Sequence, residues 1–173
     1  ASDDYAQLAI QGRHAQAVVQ ELTDIDCEGI EYYRFVEGEV AGVPAILART
    51  GYTGEDGFGV FFAAEHAADL WSRVRAAGVP FGLEPIGLGA RDTLRLEMKY
   101  CLYGNDISTE TSPLEARLGW VTKLAKESDF IGKKALLAQK ESGVKRALIG
   151  FALPPPAISR HGARVFVEGE QVG

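Results

Sequence analysis

Two stretches of this chain gather residue types suited to recognising a polar, ring-shaped ligand. The first is Arg49-Thr50-Gly51-Tyr52-Thr53-Gly54-Glu55-Asp56-Gly57-Phe58. Its glycines let the backbone turn sharply and approach a bound molecule, while its hydroxyls and carboxylates supply polar contacts. The second is Gly87-Leu88-Gly89-Ala90-Arg91-Asp92-Thr93-Leu94-Arg95-Leu96-Glu97, which sets an arginine–aspartate pair near a helix start. Arg91 there offers a rigid five-donor fork, suited to a carboxylate or to the acceptor edge of a heterocycle. Tyr32-Tyr33 falls on a predicted strand, where successive rings face opposite sides of a sheet. One ring then packs inward, and the other can stack on a flat ligand or offer its hydroxyl.

Each feature also has a plainer reading. The Gly51–Gly57 run is equally a hairpin turn with Asp56-Gly57 at its corner. Both tyrosines could serve as core packing. Arg91-Asp92 could be an internal ion pair holding helix to sheet. Arg91 and Arg95 lie on one helical side, which leaves room for one structural and one ligand-facing arginine. Gly87-Leu88-Gly89 lacks the third glycine of a dinucleotide motif and does not support a Rossmann fold. Tyr103 to Asp106 and Ser112 to Ala116 read as a structured connection. His14, His66 and His161 match no metal spacing, and no nucleophile elbow or phosphate loop occurs.

Composition bounds the partners. A hydrophobic fraction of 46% and a charged fraction of 24% over 173 residues suit a soluble globular protein with a real core. The net charge of −6 argues against nucleic acid, whose phosphates need a basic field. Cys27 and Cys101 stand far apart, in keeping with a reducing compartment. No apolar run approaches a membrane span and no targeting segment is visible, so a cytoplasmic location is expected.

The elements that must position these groups follow from periodicity. Strands are predicted over Tyr5–Ile10, Tyr32–Val36, Val43–Leu47 and Phe58–Phe62, with a turn at Glu37-Gly38-Glu39 and Gly42. Helices are predicted over His14–Leu22, over Ala64–Ala77, and from Pro85 to about Met98 with Ala90, Leu94 and Met98 as its apolar stripe. Further on come a strand at Leu118–Leu124, a helix at Gly132–Glu141, a strand at Arg146–Leu153 and a hairpin from Ala163. Short turns between strands favour an α+β fold with a mixed, largely antiparallel sheet and packed helices. We place a first domain at 1–143 and, at 144–173, the start of a C-terminal all-β barrel domain.

The order of these blocks resembles the T-protein of the glycine cleavage system. The resemblance runs from Leu8-Ala9-Ile10-Gln11-Gly12 through Tyr32-Tyr33-Arg34-Phe35, Gly51–Phe58, Gly89–Glu97 and Cys101–Ile107. It continues through Pro113–Trp120 and Phe130-Ile131-Gly132-Lys133. It implies a folate-binding aminomethyltransferase domain that uses tetrahydrofolate as co-substrate and lipoylated H-protein as partner, with no metal. By the same resemblance Tyr32, Tyr33, Tyr52 and Arg91 line the folate site.

Three departures from the family pattern follow. Gly59 stands where the family carries a folate-binding glutamate after the Gly-Tyr-Thr-Gly-Glu-Asp-Gly-Phe run. The family's catalytic aspartate belongs to a portion N-terminal to this chain, and most of the β domain is missing as well. The chain is therefore expected to be a fragment, inactive alone and prone to self-association through uncovered sheet surface. Alternatives are a non-catalytic folate-binding module and a folate-dependent demethylase or sarcosine-oxidase-like protein.

Overall fold

Alternating apolar residues give one face of a sheet to the core of the first of two compact units. The computed structural model describes residues 2–173, and the units are Ala1–Cys101 and Leu102–Gly173. Strands β1 (Tyr5–Gln11), β2 (Phe35–Val40), β3 (Val43–Arg49) and β4 (Gly57–Ala63) form an antiparallel sheet in the order β1-β4-β3-β2. Ile10, Val40, Leu47, Phe58, Val60 and Phe62 point to one face. There they meet Val18 and Val19 of helix α1 (Ala15–Gln20) and Leu70 and Val74 of helix α2 (Ala67–Gly78). Each such side chain contributes roughly 1.5–3 kcal/mol by leaving water. The α+β class with an antiparallel sheet and packed helices is the observed one.

Several predicted boundaries move. Strand β2 begins at Phe35, leaving Tyr32 and Tyr33 in a turn closed by the Arg34 N–H donating to the Glu31 carbonyl at 2.9 Å. Tyr33 has φ 63°, a left-handed conformation uncommon for a bulky residue. Its N–H bonds the Arg49 carbonyl at 2.9 Å, which ties the turn to the end of β3. The two rings therefore do not alternate across a sheet. Glu37-Gly38-Glu39 lies inside β2, paired with β3, and the corner is Ala41-Gly42 with φ 52° and 72°. Two positive φ values in a two-residue loop match the twist of the flanking strands. Gly57 opens β4 opposite Gln11, so residues 50–56 form a longer connection in place of a two-residue corner.

Helix α3 (Leu88–Glu97) starts after Gly87, with Pro85 outside it. Its expected stripe is only partly realised: Ala90 and Leu94 are half-buried, Met98 is 44% exposed, and the buried residue is Arg95 at 2%. In the second unit, helix α4 (Lys133–Ser142) ends at Gly143 as expected. Strands β5 (Phe166–Val167) and β6 (Glu170–Gln171) pair across Glu168-Gly169. Leu118–Leu124 is not a strand. It turns through short-range bonds such as the Val121 N–H to the Leu118 carbonyl at 3.2 Å, with Trp120 72% exposed. Arg146–Leu153 finds no strand to pair with among the described residues, and the Leu148 N–H bonds the Glu115 carbonyl instead at 2.8 Å.

Candidate functional site

The loop that carries Tyr52 is held by an arginine at its entry. The Arg49 guanidinium takes Asp56 in a two-pronged grip, Nε to Oδ1 at 3.0 Å and Nη2 to Oδ2 at 2.8 Å. Nη1 reaches the Ile30 carbonyl at 3.1 Å and the Glu28 carbonyl at 3.4 Å, while Nη2 also meets Gln16 Oε1 at 3.0 Å. One side chain thus fastens the glycine-rich loop to the segment leading into Tyr32-Tyr33. Hydrogen bonding from Arg49 holds the Asp56 carboxyl below its ordinary range against the opposing effect of burial.

Glycine suits two points of this loop, where a side chain would displace a neighbour or strain the backbone. At Gly51 a Cβ would stand 2.3 Å from Gln11 Oε1. At Gly54, with φ +83°, it would meet Met98 Sδ at 2.5 Å. Gln11 in turn donates Nε2 to the Thr50 carbonyl at 3.2 Å and accepts from the Thr53 hydroxyl at 3.4 Å. The loop is therefore pinned from β1 on one side and from the end of α3 on the other.

This places Tyr52 against α3. The Arg91 guanidinium lies 4.7 Å from the centre of the Tyr52 ring, a cation–π contact, and Tyr52 stacks on Tyr100 at 5.7 Å with an 18° interplanar angle. The Tyr52 hydroxyl donates to the Cys101 carbonyl. The two helix arginines divide their work. Arg95 is buried and donates Nε and Nη2 to Asp92 Oδ1 at 2.8 and 2.6 Å, and Nη1 to the Tyr100 carbonyl at 3.0 Å. Arg91 stays exposed at the surface beside Tyr52. The ion pair anticipated within Arg91-Asp92 is formed by Arg95 and Asp92.

Tyr32 and Tyr33 pack on each other, ring centres 4.2 Å apart and tilted by 52°. Although Tyr32 is 47% exposed overall, its hydroxyl is pushed up to about 12. Burial is the first cause, followed by hydrogen bonding to Tyr33 and the negative charge that Tyr33, Tyr100 and Asp56 can carry. Tyr100 thus stacks on Tyr52 and lies within electrostatic reach of Tyr32. Among the predicted residues, Tyr52 and Arg91 meet directly, as do Tyr32 and Tyr33. Gly59 meets none of these four directly: it lies on β4 between Phe58 and Val60, which face the core, so position 59 faces the opposite side.

Arg49 and Tyr100 carry much of this geometry; neither was assigned a role from sequence, although Arg49 opens the glycine-rich stretch. Arg49 adjoins the glycine-rich run, which is a local signal. Tyr100 gives none, since only folding brings it to Tyr52. An open depression of about 810 Å³ in the second unit, lined in part by Phe130, Ile131 and Lys134, contains none of the predicted residues. Among the described residues no group of three His, Cys, Asp or Glu side chains could hold a metal ion, and no helix is long and apolar enough to cross a membrane.

Residues 1–126 match the profile of the GCVT N-terminal domain family. An aminomethyltransferase of Halothermothrix orenii is 46% identical over 172 residues, which span 99% of this chain and 48% of that protein. One from Phocaeicola vulgatus is 50% identical over 175 residues, covering 100% of this chain and 48% of its own length. The chain thus spans about half the length of the curated relatives it matches. The crystal structure of glycine cleavage system aminomethyltransferase T from Bartonella henselae superposes with a TM-score of 0.71 at 32% identity, over 83% of this chain and 38% of that one.

Proposed function

This chain belongs to the GCVT N-terminal domain family, and we propose that it supplies the folate-recognising part of an aminomethyltransferase of the glycine cleavage system. In the reaction proposed, an aminomethyl group leaves the sulfur of a lipoyl arm on H-protein and its carbon joins tetrahydrofolate. Methylenetetrahydrofolate, ammonia and the dihydrolipoyl protein result. The protein's contribution is orientation, because a pterin held by fixed rings and donors presents its nitrogens to the sulfur adduct at a defined distance. We place the protein in the cytoplasm.

The observation that supports this reading is the Arg91–Tyr52–Tyr100 stack with Tyr32-Tyr33 nearby. It offers π faces for the flat rings of a folate and a guanidinium fork that makes no ion pair of its own among the described residues. The neighbouring carboxylates are already committed, Asp56 to Arg49 and Asp92 to Arg95. The 173-residue chain is therefore proposed to bind folate without turning over. H-protein-dependent methylenation of folate by the chain alone would contradict that part.

Calorimetric titration with tetrahydrofolate, repeated on Gly59→Glu, tests the binding. A carboxylate at 59 would add charge-assisted bonds to the pterin's N–H donors, and one or two such bonds tighten binding about tenfold to a hundredfold. The new Cβ would lie 3.2 Å from the Phe61 ring, which has to yield by a few tenths of an ångström. Absence of binding in both forms overturns the reading. Tight binding by the parent chain with no gain favours a second reading, a folate-binding module that has lost the transfer, for which Gly59 is the supporting observation. Exposed Tyr5 (54%) and Phe35 (62%) on the sheet support self-association, and a clean monomer on dilution light scattering would refute it.

A further inference from the structure

Gly59 pairs with Ala9 of β1 and Ala48 of β3, on one of the two inner strands of the sheet. On the face opposite the core, the side chains nearest its missing Cβ are the Phe61 ring at 3.2 Å and Gln7 Nε2 at 3.4 Å. The two glutamines that β1 turns to this face differ in their engagement. Gln11 is spent on the loop, donating to the Ile10 and Thr50 carbonyls and accepting from Thr53. The Gln7 side chain is exposed and makes no hydrogen bond among the described residues. Its carboxamide is therefore an unused donor–acceptor pair, held beside an aromatic ring and over a residue with no side chain.

We propose that Gln7 is a ligand-binding residue whose carboxamide reads the lactam edge of a pterin lying against Phe61. This rests on the folate reading above. A carboxylate presents two acceptors and matches two adjacent N–H donors. A primary amide presents one acceptor and one donor, which matches an N–H beside a carbonyl, the N3–H and 4-oxo group of a pterin. Gly59 leaves this space open: a Cβ there would stand 3.2 Å from the Phe61 ring and 3.4 Å, ordinary contact distance, from the Gln7 amide. Gln7 lies four residues from Gln11, the residue that pins the Tyr52 loop. At about 3.4 Å per residue that separation is on the order of 14 Å, within the span of one folate molecule. Recognition by a neutral amide also carries no carboxylate titration of its own.

A cycle combining a protein change with a ligand change tests the pairing. Tetrahydrofolate and its N3-methyl derivative are titrated calorimetrically into the parent chain and into Gln7→Leu, with the thermal melt of each protein recorded. Gln7 is exposed on an edge strand, so the variant is expected to melt as the parent does. Gln7→Leu is expected to bind tetrahydrofolate about tenfold more weakly, the scale of one or two net neutral hydrogen bonds. N3-methylation is expected to weaken binding to the parent about tenfold and to leave Gln7→Leu nearly unaffected. Equal losses in both proteins, or undiminished affinity in Gln7→Leu, overturn the role of Gln7 while leaving the folate reading intact. A parent chain that binds neither ligand overturns the folate reading and this inference with it.

Discussion

The Arg91 guanidinium lies 4.7 Å from the centre of the Tyr52 ring, and the same ring stacks on Tyr100 at 5.7 Å. A cation, a phenol and a second phenol are thereby layered from a helix, a loop and the segment after that helix. Arg91 is held there without an acidic partner because its neighbour Asp92 is taken by Arg95. The division between a buried and an exposed arginine on one helix follows from their partners, not from their residue type.

Arg91→Lys keeps the charge but loses the planar fork and the flat face over Tyr52. Tetrahydrofolate affinity is expected to fall about tenfold, and Arg91→Ala somewhat further, with the melting temperature of both variants close to that of the parent. Calorimetric titration alongside thermal melts checks this. A large loss of stability in Arg91→Lys would recast the residue as structural.

Arg95→Leu has the opposite signature. Removing a 2% exposed guanidinium that bonds Asp92 and the Tyr100 carbonyl is expected to destabilise the first unit by roughly 2–4 kcal/mol. Urea denaturation measures it, and a change under about 0.5 kcal/mol would show that the buried contacts are not maintained.

Gly54→Ala introduces two faults, a Cβ at φ +83° and a contact 2.5 Å from Met98 Sδ. Together they are expected to cost about 2–3 kcal/mol. In the double variant with Met98→Ala the steric part should be recovered while the backbone strain of about 1 kcal/mol persists. Full recovery would show that the φ angle does not matter.

The Arg49–Asp56 pair makes stability depend on acid. Asp56 is held below its unfolded value near 3.9, so its contribution is complete above that pH and is lost as pH falls through the lower folded value. Stability of the parent should therefore drop more steeply below about pH 4 than that of Asp56→Asn. Parallel acid-denaturation curves for the two proteins would contradict the pairing.

Tyr32 gives the alkaline counterpart. Its folded pKa of about 12 exceeds the unfolded value near 10, so the stabilisation is present below pH 10 and lost as pH rises through 12. Ultraviolet titration should show a late phenolate transition that is absent in Tyr32→Phe. A titration curve left unchanged by Tyr32→Phe at its alkaline end would refute the proposed environment.

Much of this molecule was legible in one dimension. Period-2 alternation in β1, β3 and β4 and period-3.6 spacing in α1 and α2 record which faces leave water, and burial on one face is a local, repeating demand. The glycine-rich loop was visible for the same reason, since sharp turns restrict residue choice locally. What only tertiary structure decided was partnership across distance. Tyr33 enters a left-handed turn because its N–H finds the Arg49 carbonyl, so the Tyr32-Tyr33 rings pack together where strand geometry would have separated them. Tyr100 reaches Tyr52, and Arg95 is buried in place of an apolar residue, because Asp92 and the Tyr100 carbonyl neutralise and satisfy its guanidinium. Hydrophobic pattern specifies faces, but a hydrogen bond or ring contact between distant residues exists only after those faces have closed.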